Sequence, residues 1–200
     1  MFALVEDNKI TQMPKGNKGI TIDSIQYPAS IYTLWSEAER NVIGIYTVEI
    51  DNTNRKDEAW YINTNITYAF SNGKVTGSYG TATAKAIEDA NAKDENGVEL
   101  DPVVVIKGLK TIKKEMIDQQ CAGILQPSDW RVIRAKETGG TMNSGWKTWR
   151  ASVRTKCNSM QTQIDGATNV EELKALFEYT NTGTEANPVY TRPLGEFPEK

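Results

Sequence analysis

The sequence predicts an α+β protein: an N-terminal β-rich module with one short helix, then a C-terminal module of three to four helices. Two observations carry this. Through much of residues 1–80 apolar side chains alternate with period two, and from Val103 onward they recur at three- and four-residue spacing. A third separates the halves, because residues 81–102 mix acids with Asn91, Asn96, Gly97 and Pro102 and read as an acidic connector.

In the first module, Ala3-Leu4-Val5, Gly19 to Ile22, Val42 to Ile50, Ala59 to Ile62 and Asn65 to Phe70 read as strands. Alternation in such strands lets one face pack while the other stays wet. Asn72-Gly73 predicts a tight hairpin into a strand over Val75 to Tyr79, because these residues tolerate the positive φ of the turn. Ser36 and Glu39 form a capping box that opens a short helix ending near Asn41. Residues 82–92 could form a helix before the Asn96-Gly97 turn.

The helical module spans residues 103–180. Its first helix runs through Val105, Leu109, Ile112 and Met116, is widened by Ile117, Cys121 and Ile124, is weakened at Gly108, and is closed by Pro127. Trp146, Trp149, Val153, Cys157, Met160 and Ile164 make the best amphipathic pattern in the chain, with Arg150 and Arg154 placed off that stripe. Thr168 to Glu171 reads as another capping box before Leu173, Leu176 and Phe177. Residues 181–200 hold three prolines and read as a polar tail that packs only if a partner holds it.

Composition excludes more than it assigns. There is no histidine among the 200 residues, which removes Ser-His-Asp and Cys-His nucleophiles, imidazole metal ligands and a histidine proton shuttle. Two cysteines make neither a disulfide framework nor a four-thiolate zinc site, and core packing is their plainer role. A net charge of −3 argues against a dedicated nucleic-acid binder, and no apolar run is long enough to span a membrane. Gly77 to Thr81 lacks the Gly-Lys-Ser/Thr ending of a phosphate loop. Asp51 to Asp57 places Arg55 where a calcium loop needs an oxygen and reads as a hairpin loop. No pair of acids is nominated for carboxylate-based hydrolysis. No catalytic residue, cofactor or metal is therefore expected, and the chain reads as a non-enzyme.

The most distinctive stretch is Leu125 to Arg154, which holds three of the five tryptophans: Ser128-Asp129-Trp130, a short amphipathic segment, Gly139-Gly140, then Trp146-x-x-Trp149-Arg150-x-x-x-Arg154. Ser128 and Asp129 can cap the helix that follows, with Trp130 folding back on Ile124 and Leu125. Trp146 and Trp149 can pack in the core or anchor a partner. Arg150 and Arg154 can be solvated or pair with Asp129 or Glu137, or Arg150 can tie its helix to the Ser-Asp-Trp step with Asp129 as bidentate partner.

This combination resembles the tail-assembly chaperone and tail-fibre-associated proteins of bacteriophages, in which a Ser/Thr-Asp-Trp step precedes an aromatic-Arg-x-x-x-Arg helix. Tyr27-Pro28-Ala29, Leu34, Ser36-x-x-Glu39-Arg40 and Ile43-Gly44-Ile45 are similar to a second segment of such proteins, with Ser30 in place of the Asn often seen there. The resemblance covers residues 26–46 and 120–157. It implies a protein that binds a tail fibre or other tail protein non-covalently and assists its assembly. Such a protein acts in the host cytoplasm and in some cases stays in the virion tail. It touches neither nucleic acid nor membrane and has self-association as an option. The alternative is a purely structural subunit of the mature tail, baseplate or fibre. Candidate contacts are Trp35, Trp60 and Tyr61 in the β module and Trp146, Arg150 and Arg154 in the helical one.

Overall fold

The apolar run at the N-terminus, Phe2-Ala3-Leu4-Val5, has no wet face. It forms β1 (Phe2–Glu6), which pairs antiparallel with both β2 (Lys9–Gln12) and β5 (Ile45–Asp51). Leu4 and Ile45 point into one cluster, with Ile20, Ile22, Ile31 and Tyr32. Ala3, Val5, Val48 and Val75 point into a second. The expectation of one packed and one solvated face is corrected here, since an unbroken apolar run fits a strand covered on both sides.

A computed structural model describes residues 1–200. The fold is α+β, and the chain divides into two compact units, Met1–Thr83 and Ala84–Lys200. In the first, the five-stranded sheet continues from β5 to a parallel strand, Lys74–Ser78, and ends at the antiparallel strand Thr67–Ser71. Asn72 and Gly73 turn between these two with φ of 52° and 74°, as their residue types predict. Two further hairpins turn on less obvious pairs. Asp7-Asn8 joins β1 to β2, and Asp23-Ser24 joins β3 (Ile20–Ile22) to β4 (Ile25–Tyr27), all four residues having positive φ. The β3–β4 hairpin and the one-turn helix α1 (Ile31–Leu34) cover the Leu4 face.

The Ser36–Glu39 capping box forms in both directions and opens α2 (Glu37–Val42). Val42 therefore ends a helix and does not begin a strand. Gly44 makes the break: its φ is +80°, and a Cβ there would lie 2.7 Å from the Val5 carbonyl oxygen. Only Tyr61–Ile62 of the segment from Ala59 is extended. The Asp51–Asp57 segment is not a hairpin loop. β5 pairs with β1 and, in parallel, with Lys74–Ser78, so its exit loop begins a crossover.

In the second unit, the connector expected over 81–102 is structured, and residues 82–92 form no helix. Ala90–Asn91 pairs with Val105–Ile106, and Lys93 bridges Glu99 nearer the tip. Asp94 closes the turn, its Oδ1 accepting from the amides of Asn96 and Val98 at 2.9 Å each, with Gly97 at φ +80°. The β-branched run Val103 to Ile106 supplies the return strand, so the first long helix starts only at α3 (Leu109–Leu125). Gly108 is its N-cap, not an interior residue, and a Cβ there would lie 2.4 Å from the Glu88 backbone. Its amide donates to Asp89 Oδ1 at 2.7 Å, which places a carboxylate at the positive end of the helix. The later start turns the buried face to Leu109, Ile117, Cys121 and Leu125, and leaves Val105 and Ile112 exposed.

α3 packs against α5 (Ser144–Gly166). The two run antiparallel: Lys114 reaches Asp165 at 2.7 Å, Asp118 meets Gln161, and Leu125 meets Arg150. Val153, Cys157, Met160 and Ile164 are buried as their spacing predicts. α6 (Val170–Ala175) begins one residue later than the expected box, with Asn169 as N-cap accepting from Glu172 N at 2.9 Å. The C-terminal segment is also docked, contrary to the free tail expected. Leu194 is fully buried, its amide donates to Leu176 O, and its carbonyl accepts from Lys156 Nζ at 2.7 Å. One leucine among prolines gives no periodicity, which is why the sequence pattern concealed it.

Candidate interaction site

The Ser-Asp-Trp step lies where α3 ends. Pro127 lacks an amide and sits in a 3-10 turn, Gln126–Ser128, that leads straight into α4 (Asp129–Glu137). Ser128 is the N-cap of α4 by position, yet it makes no side-chain cap. Its Oγ turns back and donates to Leu125 O at 2.7 Å. The helix-end carbonyl thus gains a partner that the next helix loses.

Arg150 closes the junction. It is 5% exposed and lies on the apolar stripe of α5, four residues after Trp146 and three before Val153, not beside the stripe as expected. Nη1 donates to Leu125 O at 2.8 Å and to Ser128 Oγ, while Nη2 donates to Asp129 Oδ1 at 2.6 Å. One guanidinium therefore binds the C-terminal end of α3, the turn and the first residue of α4. A buried cation needs such compensation, and the negative end of α3 supplies part of it. Of the two readings left open for Arg150, the tie to the Ser-Asp-Trp step is the one that forms, although a single Asp129 carboxylate oxygen is engaged.

Around this lock, α4 buries no residue at all. Trp130 is 49% exposed. Val132 and Ile133 are similarly open. Arg131 stacks between two indoles, its Cζ 4.5 Å from the Trp130 centroid and 4.3 Å from that of Trp146. Trp146 meets Trp149 edge to face at 5.4 Å, and Lys200 Nζ lies 4.6 Å from the Trp146 ring centre. Trp149 Nε1 donates to Pro198 O at 3.0 Å, so the chain terminus helps position this helix end. A cleft of about 170 Å³ opens here, lined by Trp130, Arg131, Arg134, Met142, Asn143 and Trp146. Residues 129–156 carry seven Lys and Arg against two carboxylates in a chain of net charge −3.

The other expected contacts are dispersed. Trp60 and Tyr61 are buried in the first unit and are not surface contacts in this fold. Trp35 is half-buried, edge to face with Tyr27 at 5.9 Å, and packs on the Leu4 cluster. Arg154 is exposed, with Nη1 donating to Arg150 O. Of the six residues, only Trp146, Arg150 and Arg154 share one element. Sequence reasoning missed Lys200, the exposure of α4 and the stacking of Arg131, which reads in sequence only as one of a run of basic residues on a solvated face.

No group of three or more Cys, Asp or Glu side chains is arranged to hold a metal ion. No helix is long and apolar enough to cross a membrane. No family model, curated protein or solved structure matches the chain.

Proposed function

We propose that this chain is a bacteriophage tail-associated protein that binds a tail fibre or another tail component non-covalently and assists its assembly in the host cytoplasm. The observation that carries the reading is the lock at Arg150. The residues of the resemblance, Ser128-Asp129-Trp130 and Trp146-x-x-Trp149-Arg150, lie far apart in sequence and form one packed junction. A motif that serves as an architectural joint fits a binding protein better than a catalyst. Its mechanism is coverage: exposed apolar side chains such as Leu34 and Val42 in the first unit can shield a fibre surface that would otherwise aggregate. A C-terminal tail ordered only by neighbouring subunits would favour the purely structural alternative. Leu194 and Pro198 are held by the chain itself, which removes that support.

Co-expression with the fibre protein of the phage that encodes it tests the reading. Soluble fibre is expected to rise, with a complex surviving size exclusion. No complex and no gain in soluble fibre would refute it.

A further inference from the structure

Two surfaces of the second unit are unusual in opposite ways. The arm, Ala90 to Ile106, exposes Val98, Leu100 and the whole run Val103-Val104-Val105-Ile106, mostly by half or more. An isolated two-stranded hairpin is marginal in water, and apolar residues on both of its faces are left without cover. The arm is also acidic, with Asp94, Glu95, Glu99 and Asp101 against Lys93. The tip, α4 with the start of α5, exposes Trp130, Val132 and Ile133. There Arg131, Arg134, Lys136 and Lys147 have no ion-pair partner, whereas Arg150 is neutralised by Asp129.

The two surfaces match in charge and in apolar character, yet they cannot meet within one chain. The arm leads into the first turn of α3 and the tip follows its last, and a 17-residue helix separates its ends by about 25 Å. We propose that the acidic apolar arm of one copy docks on the basic apolar tip of a second copy. The contact is heterologous, with different patches facing each other, so it propagates head to tail into a ring or an open filament. This inference stands independently of the phage reading. The tip favours a carboxylate-bearing protein surface over stacked bases, because Arg131 and Lys200 already lie against the Trp146 ring.

Sedimentation equilibrium with two complementary variants tests it. The arm variant is Val104→Lys with Val105→Lys, and the tip variant is Ile133→Asp with Arg134→Glu. All four positions are exposed, and circular dichroism checks each fold. Wild-type protein is expected to self-associate at about 0.1 mM, less so in high salt. Each variant alone stays monomeric, and their equimolar mixture forms a dimer and nothing larger, because one intact arm meets one intact tip. A monomeric wild type, association of either variant at wild-type strength, or a mixture that stays monomeric overturns the proposal. If a variant misfolds, charge reversal decides it. Glu95→Lys with Glu99→Lys must weaken association at least tenfold, and adding Arg134→Glu with Lys136→Glu in the same chain must restore it. Failure of the restoration counts against the arm–tip contact.

Discussion

Arg150 is where a single residue decides most. Its guanidinium answers three oxygens from three successive elements, and two of those acceptors lie in the interior. Replacing it by Met keeps the stem but leaves Leu125 O and Ser128 Oγ only their bond to each other and takes the cation from Asp129. Arg150→Met is expected to destabilise the protein by roughly 2–4 kcal/mol, measured by urea unfolding. Lysine should not rescue it, because an ammonium cannot reproduce the planar fork. Part of this was legible: the sequence offers Asp129 as a partner beside the solvated alternative, and counting 146, 150, 153 and 157 as one stripe would have placed Arg150 inside. Arginine's charge argues for a wet face, and three oxygen acceptors at the α3 end overrule it. Cys157 gives a second prediction at this scale. Burial, with Cys121 and Asp118 beside it, pushes its thiol from 9.0 up to about 12. The folded thiol holds its proton more tightly than the unfolded one. Its contribution to stability is complete below about pH 9 and is lost as pH rises towards 12. Both cysteines are buried, so iodoacetamide at pH 8 should label the native chain at least ~100-fold more slowly than the chain in urea. Equal labelling rates would show that the α3–α5 interface is open.

Among the elements, those set by local chemistry were readable and those set by distant packing were not. The Ser36 cap and the Asn72-Gly73 turn depend on neighbours within a few residues, and they form as predicted. α3 starts four residues after the first residue of its pattern, Val105, because Val105–Ile106 is spent on pairing with Ala90–Asn91. The docked C-terminus depends on one leucine meeting Leu176 and Lys156 across the fold. Leu194→Asp buries a carboxylate in that pocket and should destabilise the second unit by at least ~3 kcal/mol; an unchanged urea midpoint would mean that the segment does not dock. The caps also predict a pH response. Hydrogen bonds from Ser36 hold Glu39 below its ordinary 4.5, and those from Thr168 do the same for Glu172. Both carboxylates have folded values below unfolded ones. Their support is therefore present above about pH 4.5 and fades as pH falls through the folded values. Helical circular dichroism should weaken on acidification below about pH 4.5, and less so in Glu39→Gln with Glu172→Gln, which has less to lose.

For the molecule as a whole, the decisive property is how charge and apolar surface are distributed. The chain is mildly acidic in total, yet residues 129–156 are strongly basic, and the α4 helix between them buries nothing. That segment is shaped by Arg150 from within and left open on the outside. A helix held so firmly by one end and uncovered elsewhere is suited to protein contact. The α+β class and the order of its two parts could be read directly from the change of hydrophobic period. The location of the uncovered surface could not, because the same Trp, Val and Ile that mark a core in sequence are here the exposed side chains of a short helix.

The most direct test is to fractionate phage-infected cells by size and follow this chain by quantitative mass spectrometry. On the proposed function the chain migrates with tail or fibre proteins, in intermediates or in finished particles. Migration solely as free protein, apart from every tail component, would contradict it.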